Sequence, residues 1–71
     1  MPQQQISVSV NGELREFPAE QSVASLLSSL NIPSDRVAIE LNKTIVRKRD
    51  WDVTLIPAGS QIEIVEFVGG G

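Results

Sequence analysis

The chain closes on Phe67-Val68-Gly69-Gly70-Gly71. A glycine run inside a sequence is a flexible linker, but a run that ends in a free carboxylate is a thin peptide that another protein's active site can admit. The expected reactive group is then the Gly71 carboxylate. Gly69 and Gly70 give it access, because neither carries a side chain that would block a narrow channel. Extended, the residues from Phe67 onward reach about 17 Å beyond the domain. The bland reading of the same segment is a frayed end or a linker stub.

Little else in the chain offers chemistry. Cysteine and histidine are both absent, which excludes thiol nucleophiles, disulfide staples, imidazole catalysis and the commonest zinc sites, so no metal is expected. No set of residues forms a nucleophile, a base and an orienting group, and an enzymatic role is the weakest reading. Arg47-Lys48-Arg49 can dock on an acidic partner, yet so short a run is most often a solvated loop, diluted here by Asp50 and Asp52. It is too small for a nucleic-acid footprint. Trp51 is more simply a cover for one end of a small core than a binding aromatic. Glu63 and Glu66 flank Val65 beside the tail. They are either ordinary strand solvation or the acidic rim of an apolar docking spot that includes Phe67 and Val68, and both readings stay open.

Seventy-one residues make one domain, and a chain of this length buries only about 60% of the surface its unfolded form exposes. A deep, enclosed active site does not fit in it. Hydrophobic residues at 41%, with charges of both signs dispersed, suffice for a core and place the chain in the soluble globular class. The net charge of -3 disfavours nonspecific nucleic-acid binding and suits a basic docking surface, although it also serves solubility. Met1-Pro2-Gln3-Gln4-Gln5 has neither a positive n-region nor an apolar h-region, and no apolar run is long enough to span a bilayer. The expected location is the cytoplasm, with no membrane contact.

The elements that must position the terminus follow from periodicity. Ile6, Val8 and Val10 alternate with serines, Asn11-Gly12 fits a type I′ turn, and Leu14 to Phe17 resumes the alternation before Pro18, which together predict a β-hairpin. Ser22 caps a helix whose apolar stripe is Val23, Leu26, Leu27 and Leu30, with Asn31 and Pro33 ending it, so the helix is expected over Ser22 to Leu30. Val37 to Leu41 is apolar on both parities and reads as a central strand covered on both faces. Thr44 to Val46 is a brief strand, and Pro57-Ala58-Gly59-Ser60 is turn chemistry. Gln61 to Glu66 is the last strand, with Ile62 and Ile64 on one face and Glu63 and Val65 on the other. One helix across a small mixed sheet, burying its stripe on Val8, Val10, Ile39, Ile62 and Ile64, is an α+β, ubiquitin-like β-grasp fold with the first and last strands adjacent and parallel at the sheet centre. The domain is expected over residues 1–66, with 1–5 loosely ordered, and residues 67–71 form a flexible reactive tail.

Val37-Ala38-Ile39-Glu40-Leu41-Asn42-Lys43-Thr44-Ile45-Val46, then Arg49, Trp51 and Gly59, then Ile62-Glu63-Ile64-Val65 running into Val68-Gly69-Gly70-Gly71, closely resembles the ThiS-type sulfur carriers of thiamine thiazole biosynthesis. The resemblance covers nearly the whole chain. One departure is Ser60, where the family usually carries an aspartate; it touches the hydrogen bonding of the turn and leaves the terminus intact.

The resemblance implies a protein substrate, not an enzyme. An E1-like adenylating enzyme of the ThiF type uses ATP to make an acyl adenylate of Gly71, a persulfide donor supplies sulfur, and the resulting thiocarboxylate serves a thiazole synthase of the ThiG type. No cofactor is bound by the carrier, and ATP belongs to its partner. With the apolar spot beside the tail taken as the docking site, the expected partner-binding residues are Val65, Phe67, Val68 and Glu63, and the free carrier is expected to be a monomer. Two alternatives keep the fold: the small subunit of molybdopterin synthase, which is usually somewhat longer, and a ubiquitin-like interaction or modifier module.

Overall fold

The two alternating segments form an antiparallel hairpin, Gln5–Val10 (β1) with Glu13–Pro18 (β2), in which Val10 stands opposite Glu13. Between them Asn11 and Gly12 have φ of 51° and 84°. Both angles are left-handed, the type I′ geometry whose twist matches that of the strands. The computed structural model describes residues 4–67. Residues 1–3 and 68–71, and with them Val68 and the glycines of the expected tail, lie outside the described residues.

Ser22 starts the helix Val23–Ser29 (α1) by staying extended while its Oγ accepts the Ser25 N–H at 3.1 Å. The other end is a Schellman motif. Asn31 takes φ of 59°, its N–H donates to the Ser28 carbonyl, and the Ile32 N–H donates to the Leu27 carbonyl. This returns Ile32 to the core, against which it packs. Local hydrogen bonding therefore fixes both ends, with the expected limits Ser22 and Leu30 serving as the caps.

Val37–Leu41 (β3), Thr44–Val46 (β4) and Gln61–Glu66 (β5) complete a sheet in the order β2-β1-β5-β3-β4. β1 and β5 are parallel and every other pair is antiparallel. The architecture is the expected α+β β-grasp. β1 and β5 lie at the sheet centre as expected, and β3 is an interior strand between β5 and β4; one expectation needs correcting, because β3 is covered on one face only. Val37 and Ile39 are buried while Ala38 and Glu40 on the opposite parity are only half-buried, because a single helix can shield just one side of the sheet.

Val23, Leu26 and Leu27 of α1 pack into a core with Val8, Val10, Phe17, Val37, Ile39, Trp51, Ile56 and Ile62, while Leu30 and Ile64 lie half-buried at its margin. Ile56 belongs to a segment whose sequence shows no alternation. Backbone bonds hold it to the start of α1, from Ile56 N–H to the Gln21 carbonyl and from Val23 N–H to the Thr54 carbonyl. Trp51 is 5% exposed and its indole N–H donates to the Val46 carbonyl at 2.9 Å, so it is a core residue. Trp51→Phe is expected to cost about 1–3 kcal/mol in a urea titration, from one lost hydrogen bond and the volume left behind. An unchanged midpoint would mean that the indole is only a surface cover.

Candidate functional site

β5 delivers the chain to its C-terminal end. As the middle strand it is flanked by β1 and β3, so its path is fixed from both sides. On the β3 side the pairing runs from Leu41 with Ile62 to Val37 with Glu66, and the Phe67 N–H donates to the Arg36 carbonyl at 2.8 Å. That last bond falls one residue beyond Glu66, where the sequence reading ended the domain. The site therefore begins from a strand that is anchored through Phe67.

Strand parity divides β5 as expected. Ile62 is buried and Ile64 half-buried against the helix side, whereas Glu63, Val65 and Glu66 are exposed. Val65 is 53% exposed and Phe67 56%. Of the expected partner-binding residues, Glu63, Val65 and Phe67 thus lie together at the end of β5, and Val68 lies outside the described residues. The register adds three residues, Glu40, Ile45 and Ala38, that the sequence alone does not connect with them. Glu40 stands opposite both Glu63 on β5 and Ile45 on β4, and Ala38 stands opposite Val65. Ile45 is 70% exposed. The uncovered face of the sheet consequently carries Ile45, Glu40 and Glu63 across one row and Ala38 and Val65 across the next.

This arrangement opposes stability locally, since like charges directly across a strand pair repel. It concentrates negative potential around apolar side chains, a combination suited to a partner with a basic rim. The signal for Ile45 and Glu40 was present in the Asn42-Lys43 turn, whose φ of 52° and 69° sets the β3–β4 register. The Arg47-Lys48-Arg49 run follows β4, the edge strand that β3 separates from β5, with Lys48–Asp50 forming an exposed 3-10 turn.

Ser60 is buried at 3% exposure. Its Oγ accepts from Asn42 Nδ2 at 3.3 Å and its N–H donates to the Pro57 carbonyl across the turn. The hydroxyl therefore joins the turn before β5 to the turn after β3. Among the described residues no group of three or more His, Cys, Asp or Glu is placed to hold a metal ion, and no helix is long and apolar enough to cross a membrane.

Comparison with known proteins gives one consistent result. The ThiS family model matches residues 8–71. A thiazole synthase of Paramagnetospirillum magneticum is 42% identical over 62 residues, which is 87% of this chain but 19% of the synthase, so the chain spans about a fifth of that relative's length. The uncharacterized protein ycf40 of Porphyra purpurea is 38% identical over 66 residues, covering 93% of each. The crystal structure of the thiamine biosynthesis protein ThiS from Geobacter metallireducens superposes with a TM-score of 0.82 at 29% identity, covering 93% of this chain and all of that one. Sequence match through residue 71 and a shared fold agree, and the chain belongs to the ThiS family.

Proposed function

We propose that the protein is a sulfur carrier of thiamine biosynthesis whose reactive group is the Gly71 carboxylate. A ThiF-type adenylating enzyme joins that carboxylate to the AMP portion of ATP and releases pyrophosphate. A persulfide sulfur on a donor protein attacks the acyl carbon, and AMP leaves with the bonding electrons. A thiol then reduces the acyl disulfide and frees the Gly71 thiocarboxylate, whose sulfur passes to a ThiG-type thiazole synthase. The carrier is a substrate throughout, and ATP is bound by its partner.

The observation that carries this reading is the family match extending to residue 71, which includes Gly69, Gly70 and Gly71 in the shared sequence. The name of the Geobacter metallireducens protein supports the pathway. Relatives named thiazole synthase contain a segment like this chain within a longer protein, here spanning 19% and 20% of two of them, which supports a synthase as the sulfur acceptor. Physically, Val65 and Phe67 offer an apolar contact and Glu63 an acidic rim, so the adenylating enzyme can grip the end of β5 while the glycines enter its site. The deciding experiment is intact mass after incubation with ATP, the adenylating enzyme and a sulfur source. Replacement of one oxygen by sulfur at the C-terminus is expected, and an unmodified chain under conditions that charge a ThiS control would reject the proposal.

Val65→Asp is expected to weaken association with the adenylating enzyme by about tenfold or more while the fold persists, because the side chain lies on the uncovered face. Calorimetry reads the affinity and urea titration the fold. Unchanged affinity would make Val65 ordinary surface, and unfolding would show that it supports the core.

A further inference from the structure

β1 and β5 pair over two positions, Ser9 with Gln61 and Val10 with Ile62, because the chain reverses at Asn11 into the hairpin turn. From Ser60, just before β5, onward the even-numbered residues turn their backbone groups toward β1. The Ser60 carbonyl accepts the Ser9 N–H at 2.9 Å and the Ile62 carbonyl accepts the Asn11 N–H at 2.8 Å. Ile64 is next in this series, and there the main chain of β1 has already turned away. The Asn11 side chain takes its place: Oδ1 accepts the Ile64 N–H at 2.7 Å and Nδ2 donates to the Ile64 carbonyl at 3.2 Å. A primary amide presents an acceptor and a donor side by side, as a peptide group does. The ladder is thus extended by one step toward the terminus.

We infer that Asn11 is a positioning residue for the reactive terminus, its side-chain amide replacing the peptide that β1 no longer supplies and holding the tail-bearing half of β5 in the sheet. The turn alone does not require asparagine. Type I′ geometry asks for a positive φ at this position, which glycine satisfies as well, whereas the two bonds to Ile64 require a side-chain amide. Only one residue separates Ile64 from Glu66, the end of β5, with Val65 between them. Slack at Ile64 therefore reaches Val65 and Phe67 directly. The second hairpin provides an internal comparison. Asn42, at φ of 52°, bonds the start of β5, where Oδ1 accepts the Gln61 N–H at 2.8 Å and Nδ2 donates to Ser60 Oγ at 3.3 Å. Asn42 grips the strand at the end remote from the terminus, and Asn11 grips it at the near end.

The functional half of this inference rests on the sulfur-carrier reading, so the test has two independent arms. In the free protein, Asn11→Gly keeps the turn and removes both bonds. The Ile64 amide is expected to exchange with solvent about tenfold faster, while the Leu26 amide of the helix keeps its rate. Asn11→Asp, which retains the acceptor for the Ile64 N–H, is expected to fall between the two. In ATP–pyrophosphate exchange with the adenylating enzyme, Asn11→Gly is expected to raise the KM for the carrier about five- to tenfold at unchanged kcat, and Asn42→Gly to leave KM near the wild-type value. Wild-type exchange at Ile64 in Asn11→Gly overturns the inference, as does an equal rise in KM for both glycine variants, which marks a general loss of strand stability. If the wild-type chain itself supports no pyrophosphate exchange, the sulfur-carrier reading fails, and the role of Asn11 in holding β5 stands or falls on the Ile64 amide alone.

Discussion

Deleting Gly71, or adding one alanine after it, is expected to abolish thiocarboxylate formation and leave stability unchanged. The warrant is geometric. The activated carboxylate has to meet the α-phosphate of ATP in a preformed site, and one residue more or less moves it by about 3.5 Å. A misplacement of about 1 Å can already cost on the order of a hundredfold in rate, so neither variant leaves a measurable reaction. Stability is insulated because the core and its margin are assembled from residues no later than Ile64, and the last described backbone bond is that of Phe67 to Arg36. ATP–pyrophosphate exchange measures the first step directly, and a urea titration measures the second claim. Exchange at the wild-type rate by either variant would remove the central support of the sulfur-carrier reading.

The sequence made the local signals legible, because each depends on a few neighbouring residues. Asn11-Gly12 can hardly be anything but a two-residue turn, and Ser22 and Asn31 mark the helix ends by hydrogen bonds that span three to five residues. Parity along Gln61 to Glu66 was equally readable, which placed Val65 and Glu63 on the uncovered face. The parallel pairing of the first and last strands at the sheet centre was legible too, since a crossover through the single helix allows it. The coverage of β3 was less so: its apolar residues occur on both parities, and the packing of the one helix decides that Val37 and Ile39 face the core. That is a long-range contact without a local signature.

The same limit explains what was missed at the candidate site. Ile45 and Glu40 join Glu63 only through two successive strand pairings. Ile56 is buried at 3% exposure in a segment with no period, held by backbone bonds to the residues around the helix start. Asn11 shows a different failure. Its conformation fully accounted for its presence in the turn, so nothing in the sequence suggested that its side chain also reaches Ile64 across the sheet. The glycines themselves are read from the sequence and the family match alone.

Leu27→Ala is expected to destabilise the domain by about 2–5 kcal/mol. Leu27 is 2% exposed, sits within α1, and packs in the core named above. A helix of seven residues is far below the length that is stable alone in water, so α1 persists because its apolar face is buried. Alanine is at least as good a helix former as leucine; the loss therefore reports packing rather than propensity. The backbone bond from Ile32 N–H to the Leu27 carbonyl is retained in the variant, which leaves the helix end intact. Against a total of roughly 4–11 kcal/mol for a chain of this size, the expected loss is a large part of the whole, and the variant's urea midpoint should fall steeply at a similar m-value. Leu30→Ala, at a half-buried position, should cost distinctly less. A loss below about 0.5 kcal/mol for Leu27→Ala, well under the range for a buried leucine, or a larger loss at Leu30, would show that the buried face of the helix is centred elsewhere.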